Sequence, residues 1–290
     1  MPRLSLLLSL LLAATLALGQ GTNLKLVSWN IAHLGGTKSD AEIELMADLL
    51  RGHDIIAIQE VVGKDPAGAR AVARLAAALD RRGADYDYRV SDPTRSSSSA
   101  LSERYAFLWR TSTVRLRRRP RLVRAFAKTV EREPYLARFH WRGQDFRIAN
   151  FHARPRKHEP EREIAALRPM LTDYADLPLF LLGDFNVPSR HTVFFPWIRA
   201  GYALALGGQA TTLRRKAPRD GEDVYYRESD NIVLPANRVR VLERGILDVV
   251  GFCESISRQR RIGVPEGPDG LTLANTLSDH APVYLILEGL

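Results

Sequence analysis

Short apolar runs that stop abruptly at an amide, a carboxylate or an imidazole recur along the chain, and this pattern constrains its fold most. Leu24–Trp29 runs into Asn30, and Asp54–Ile58 runs into Gln59 and Glu60. Phe146–Phe151 runs into His152, and Leu179–Leu182 into Gly183-Asp184-Phe185-Asn186. Asp230 opens the run Asn231–Leu234, and Asp279-His280 precedes Pro282–Leu287. Tyr105–Trp109 adds one more. Runs this short and this apolar read as buried strands. Helical patterns lie between them. Ala41–Leu50 places Ile43, Met46, Ala47 and Leu50 on one face behind Asp40 as N-cap, and Ala67–Leu79 and Glu161–Leu171 repeat the theme. No internal repeat or linker-like break divides the chain. The expected architecture is one α/β domain with sheets at the core and helices outside. Polar residues at strand ends in such a domain face a common crevice.

The N-terminus reads differently. Arg3 is followed by an apolar stretch, Leu4–Leu18, and by the small residues Ala17-Leu18-Gly19. A charged start, a short apolar segment and a small-residue cleavage site make residues 1–19 a secretory signal peptide, with the domain over 20–290. The stretch is short for a transmembrane span. The expectation is a secreted or periplasmic protein with no stable membrane insertion after cleavage. Loss of Arg3 takes the formal charge from +9 to +8. That excess favours a polyanionic partner. The single cysteine, Cys253, excludes an internal disulfide framework and a four-cysteine zinc site, so the core alone must hold the fold.

Each strand-end residue has a plain structural explanation when taken singly. An Asp after a strand forms turns, an Asn tolerates left-handed backbone, and a His satisfies hydrogen bonds. Taken jointly they form an inventory of metal ligands, proton carriers and polar orienters. The chain has no Gly-x-Ser-x-Gly elbow and no Walker loop, and Cys253 has no histidine beside it in sequence. Oxygen donors predominate, which suits Mg²⁺, Mn²⁺ or Ca²⁺. Such a cation with two histidines fits attack of water on a phosphodiester. One imidazole would take a proton from water and the other would supply one to the leaving oxygen.

The ordered motifs resemble the endonuclease/exonuclease/phosphatase superfamily, in its deoxyribonuclease I-like branch. They are Ser28-Trp29-Asn30-Ile31 with Gly35-Gly36-Thr37-Lys38, Ile58-Gln59-Glu60-Val61, Ser102-Glu103-Arg104-Tyr105 and Arg132-Glu133-Pro134. Asn150-Phe151-His152, Gly183-Asp184-Phe185-Asn186, Asp230-Asn231-Ile232-Val233 and Ser278-Asp279-His280-Ala281-Pro282-Val283 follow. The resemblance implies a four-layer sandwich of two packed mixed β-sheets flanked by helices, usually monomeric. It implies Glu60 as the principal metal carboxylate, with Asn30 and Asp279 close by. It pairs His152 with Glu103 and His280 with Asp230. It gives metal and scissile phosphate to Asp184 and Asn186, and a phosphate contact to Arg132. It does not settle which histidine is base and which acid.

The chain also departs from its secreted vertebrate relatives. Their groove-reading arginines and sugar-stacking tyrosine are replaced by Val62, Leu101, Ala32 and Asn231, and their disulfides are impossible with one cysteine. The leading expectation is an exported endonuclease cutting DNA. One alternative is a phosphoesterase acting on a phospholipid or small phosphate ester. Another is a non-catalytic nucleic-acid-binding module. Ser91–Ala100 and Gly207–Asp223 read as loops, the second carrying Arg214, Arg215 and Lys216. Arg115–Arg124 holds six arginines among ten residues. The sequence leaves this strip open between a charged sheet edge and a phosphate-contacting surface.

Overall fold

The computed structural model of the protein describes residues 23–63, 66–261 and 269–290. The expected leader at 1–19 lies outside the described residues. In chain order the strands are β1 (Leu24–Leu34), β2 (Ile55–Val62), β3 (Tyr86–Val90), β4 (Glu103–Arg110), β5 (Arg115–Leu122), β6 (Tyr135–Trp141) and β7 (Gln144–His152). They continue with β8 (Leu179–Asp184), β9 (Ala203–Leu204), β10 (Thr212–Leu213), β11 (Tyr225–Arg227), β12 (Asp230–Leu234), β13 (Arg240–Ile246) and β14 (Val283–Gly289). They form a sheet of order β13-β14-β1-β2-β4-β3, a second of order β5-β6-β7-β8-β12-β9, and a small hairpin, β10-β11. Both large sheets are mixed: β1 and β2 are parallel, as are β7 and β8, and the other pairs run antiparallel.

Alternation along the strands builds the layers. Leu24, Leu26, Ile55, Ala57, Phe107 and Leu285 of the first sheet pack face to face with Phe139, Phe146, Ile148, Phe180 and Ile232 of the second. Phe107 meets Phe139 edge-on, with ring centroids 5.7 Å apart. The opposite face of the first sheet carries Val27, Trp29, Ile56 and Ile58. Four helices cover it: α1 (Asp40–Leu50), α2 (Ala67–Asp80), α6 (Val249–Arg261) and α7 (Gly270–Leu277). Ala149, Phe151, Leu181 and Val233 on the outer face of the second sheet pack under α3 (Pro160–Ala166), α4 (Met170–Asp173) and α5 (Phe195–Arg199). The result is the expected four-layer sandwich. Strands buried on both faces read as continuous apolar runs, which explains their legibility.

Some local expectations differ. Ser39, not Asp40, caps α1, in a capping box with Glu42. Asp40 is the first helical residue, and its charge suits the positive end of the helix dipole. The helix expected over Glu161–Leu171 is two pieces, α3 and α4, separated at Pro169. Proline has no N–H to continue the α3 ladder and disfavours helical backbone at the residue before it. The loop expected over Gly207–Asp223 contains β10, which returns through β11 as a hairpin.

Candidate active site

Register brings the site together. Parallel pairing of β7 with β8 sets His152 opposite Asp184, and antiparallel pairing of β8 with β12 sets Asp184 opposite Asp230. Three neighbouring strands thus present an imidazole and two carboxylates in a row. Gly183 permits this approach. Its φ is +137°, and a Cβ there would lie 1.8 Å from the Phe151 carbonyl oxygen on β7. Only glycine fits.

Both imidazoles are held from behind by carboxylates. His152 Nδ1 lies 2.8 Å from Glu103 Oε1, and His280 Nδ1 lies 2.7 Å from Asp230 Oδ2. The two Nε2 atoms point toward one oxygen, Asp184 Oδ2, at 3.5 Å and 3.9 Å. A carboxylate on Nδ1 fixes the tautomer and leaves Nε2 for chemistry. Asn30, within β1 where its register against β2 shifts, donates its amide to Glu60 Oε1 and to Asp184 Oδ2, each at 3.1 Å. This amide joins the two sheets at the floor of the site.

Burial governs the electrostatics. Desolvation opposes charge on His280, but Asp230 and Asp184 outweigh it and push the ring up to about 10. Desolvation also opposes charge on His152, and Glu103 overturns it, so this ring too is raised. The Asp184 carboxyl is raised by burial and by Asp230, against the pull of both histidines and Asn30. These are mutual effects of charges crowded into low dielectric.

Asn186 follows directly. Its backbone N–H donates to Asp184 Oδ1 at 2.9 Å, and its side-chain amide donates to the Ala153 carbonyl at 3.3 Å. Glu60 and Asn186 both adopt left-handed backbone, with φ of 58° and 54°. Strain of this kind at non-glycine residues is uncommon and clusters at functional sites. Arg132 sits behind the histidine pair: its Nε lies 3.2 Å from Glu103 Oε2, it is 7% exposed, and its Nη1 has no partner. Asp279 stands apart from the hydrogen-bonded set. It lines a cleft of about 450 Å³ with Glu60, His280 and Arg215, whose guanidinium is 3.9 Å from it.

Some supporting residues carried no signal in the sequence. Thr211, fully buried, donates its hydroxyl to Asp230 Oδ2 at 2.7 Å. The Tyr105 hydroxyl accepts the His152 backbone N–H at 3.1 Å. Ser278 donates to the Asn30 carbonyl at 2.6 Å and accepts the His280 N–H at 3.1 Å. Ser278 lay within a quoted motif. So did Tyr105, whereas Thr211 is an ordinary residue whose role exists only in three dimensions.

The donor set fits a hard divalent cation. Oxygens of Glu60, Asn30 and Asp184 cluster at one end, and Asn30 Oδ1 and Asp230 Oδ1 are buried acceptors without partners. Asp184, Asp230 and His280 also offer ligand atoms within 4.8 Å of one another. Asp184 belongs to both groups, and each keeps one buried acceptor without a partner, Asn30 Oδ1 in the first and Asp230 Oδ1 in the second. Buried acceptors without hydrogen are costly unless a proton or cation satisfies them.

Two helix-covered sheets ending in this pair of carboxylate-backed imidazoles define an α/β-sandwich hydrolase. The sequence profile of the Endonuclease/Exonuclease/phosphatase family matches residues 27–280. A protein named Deoxyribonuclease from Thioalkalivibrio sp. (strain K90mix) is 32% identical over 297 residues, covering 98% of this chain and 75% of that protein. The chain belongs to the Endonuclease/Exonuclease/phosphatase family. Solved structures share its fold at lower identity. The human Nocturnin catalytic domain with bound sulfate superposes with a TM-score of 0.61 at 17% identity, over 93% of this chain and 95% of that one. A mannosyl-6-phosphatase from Bacteroides thetaiotaomicron VPI-5482 superposes at 0.58 and 17% identity, over 91% and 99%. Among the described residues, no helix is long and apolar enough to cross a membrane.

Proposed function

We propose that this chain is an exported, divalent-metal-dependent endonuclease that hydrolyses phosphodiester bonds of DNA. One observation carries the reading: two imidazoles, each backed by a carboxylate, aim their Nε2 atoms at the same Asp184 oxygen. A proton donor and a proton acceptor near one anionic position suit acid–base displacement at phosphorus. One histidine takes a proton from the attacking water while the other gives one to the leaving oxygen as the P–O bond breaks. Glu103 and Asp230 hold the rings and stabilise the imidazolium forms. Asp184 and Asn186 orient the scissile phosphate, and Arg132 pairs with Glu103 behind the ring. Glu60, Asn30 and Asp184, with Asp279 nearby, would hold Mg²⁺, or Mn²⁺ or Ca²⁺ in its place, which would supply neutralisation of phosphate charge and a more acidic water.

The likeness to the Thioalkalivibrio deoxyribonuclease supports DNA as substrate. So does the β10-β11 hairpin. Arg214, Arg215, Lys216 and Arg219 line a basic surface there, and Arg215 also reaches the catalytic cleft. The test is nicking of supercoiled plasmid by purified protein with each cation, repeated in EDTA. No nicking with any cation would refute the reading. DNA retained in EDTA with no turnover under any cation would leave a binding module instead. Export is tested by N-terminal sequencing of protein recovered outside the cytoplasm, expected to begin at Gln20.

A second reading keeps the chemistry and changes the substrate to a small phosphate ester. A cavity of about 390 Å³ beside Arg132, with Leu101 and Pro155 in its wall, favours it by offering room for a compact organic group. Release of inorganic phosphate from monoesters, without action on plasmid, would select it.

A further inference from the structure

The arginine strip at Arg115–Arg124 forms β5, the edge of the second sheet. Charge on an edge strand discourages unwanted pairing, and one or two arginines would serve that purpose. The arrangement goes further. Arg118 on β5 pairs in register with Arg138 on β6, which pairs with Arg147 on β7. Three guanidinium-bearing residues therefore cross three adjacent strands side by side. Arg138 and Arg147 share the outer sheet face with Leu136 and Ala149. Like charges placed directly opposite one another destabilise a sheet. Neither Arg138 nor Arg147 lies on the edge, so edge protection does not account for them.

Two register shifts in β5 sharpen the point. Between Leu116 and Arg118, and again between Arg118 and Arg121, β5 spends one residue more than β6 opposite. Such bulges re-aim side chains. Here they leave Arg117, Arg118, Arg119 and Arg121 all exposed, where regular alternation would turn every second one inward. Local acids neutralise only part of the group. Asp145 is taken by Arg117, Arg138 and His140, and Asp176 by Arg147. Arg118, Arg119 and Arg121 make no ion pair among the described residues. They line a cleft of about 290 Å³ together with Arg138, Arg147 and Tyr174, whose ring lies 5.4 Å beneath the Arg147 guanidinium.

We propose that this cleft is a second, non-catalytic binding site for the phosphate backbone of a nucleic acid. Its spacing suits a linear polyanion: guanidinium-bearing residues recur about 4.8 Å apart across the strands. Its position sets it apart from the catalytic cleft. Arg147 precedes His152 by five positions on β7, roughly 17 Å of extended strand. An odd separation places the two on opposite faces. A strand seated at His152 therefore does not lie in the arginine cleft, and only a long polymer reaches both. Tethering at one site then raises the local concentration of the polymer at the other. The phosphate backbone needs no base contacts for such a role.

The experiment measures binding of a fluorescently labelled long DNA duplex in EDTA, at several salt concentrations. Wild type is compared with the triple variant Arg118→Gln, Arg119→Gln, Arg121→Gln. These side chains are exposed, and circular dichroism and the melting temperature check that the variant is folded. The expected result is at least about a tenfold loss of affinity and a salt dependence shallower by up to about 2.7, at about 0.9 per lost phosphate contact. Turnover of a small chromogenic phosphodiester should not change. An unaltered affinity and salt slope would overturn the proposal. So would a parallel fall in small-ester turnover, which would place the arginines in the catalytic cleft. Binding of a sulfated oligosaccharide without binding of DNA would assign the cleft to another polymer and overturn it as well. Because binding is read without cleavage, failure of the nuclease reading leaves the comparison intact.

Discussion

The ion pair behind His152 gives the sharpest separation of stability from catalysis. Glu103 lies 2.8 Å from His152 Nδ1 and 3.2 Å from Arg132 Nε, and both it and Arg132 are buried. Replacing Glu103 with glutamine changes almost no volume and removes one charge. Arg132 then stays buried without that counter-charge, facing only neutral oxygens, the glutamine carbonyl and the Leu101 carbonyl at 3.3 Å. Breaking a buried pair by removing one member costs about 3–5 kcal/mol. Glu60 and Glu163 still favour the Arg132 cation, which keeps the expected loss near about 3 kcal/mol. The amide also donates to Nδ1, which leaves the proton on Nε2 and no carboxylate to stabilise the imidazolium that either role, base or acid, requires. Turnover should fall about 10²–10⁴-fold. The double variant Glu103→Gln, Arg132→Met removes both charges. It should regain most of the stability and none of the turnover. Urea unfolding of metal-free protein reads the first quantity, and plasmid nicking the second. If the double variant were as unstable as the single one, the buried cation would not be the source of the loss. If Glu103→Gln nicked DNA at the wild-type rate, the orienting role of Glu103 would be wrong.

Other outcomes follow from the same geometry. Gly183→Ala drives a methyl into the Phe151 carbonyl oxygen and should cost at least about 4 kcal/mol or prevent folding, whereas Gly207→Ala, facing open space, should shift the melting temperature little. Thr211→Val deletes the hydroxyl bonded to Asp230 and should lower kcat roughly tenfold with KM nearly unchanged, and Thr211→Ser should restore it; equal loss in the serine variant would contradict the hydrogen-bond role. His53, buried against the Leu50 carbonyl and away from the site, has its pKa lowered from 6.5 to about 4 by desolvation. The unfolded chain therefore binds more protons between these values, so stability is full above pH 6.5 and falls as pH drops toward 4. The whole loss is about 3 kcal/mol, at about 1.4 kcal/mol per pH unit. Urea midpoints of His53→Gln should lack that component of the acid limb, and an identical pH profile would show that His53 does not titrate as described.

The strand-end residues were legible because burial on both faces turns a strand into an unbroken apolar run. His152 and Asp184 are the last residues of their strands, whereas Asn30 and Glu60 lie within β1 and β2, where the register shifts before the strands continue. The edge strands β3, β5 and β13 gave no such run, because one side of an edge meets water and tolerates charge. Register was equally silent. Nothing along the chain says that His152 faces Asp184 across a parallel pair, or that Thr211 reaches Asp230 from a separate hairpin. Composition names the groups that can do chemistry, and pairing decides which of them meet.

The arginine strip shows the same division from the other side. Its composition is conspicuous, yet it could not choose between an edge and a surface, because both need exposed charge. The deciding residues, Arg138 and Arg147, lie outside the strip, scattered among apolar neighbours where each reads as an ordinary outward position. Only the ladder that sets Arg118, Arg138 and Arg147 abreast shows a row of guanidinium groups that edge protection does not require, with Arg138 and Arg147 paired to Asp145 and Asp176 and Arg118, Arg119 and Arg121 left without an ion pair among the described residues. A polyanion in the cleft would turn that unpaired charge into binding. The wild-type chain should therefore gain thermal stability from a long DNA duplex in EDTA, and the triple glutamine variant should gain less. Equal gains in the two proteins would mean that Asp145, Asp176 and solvent already relieve the row's charges.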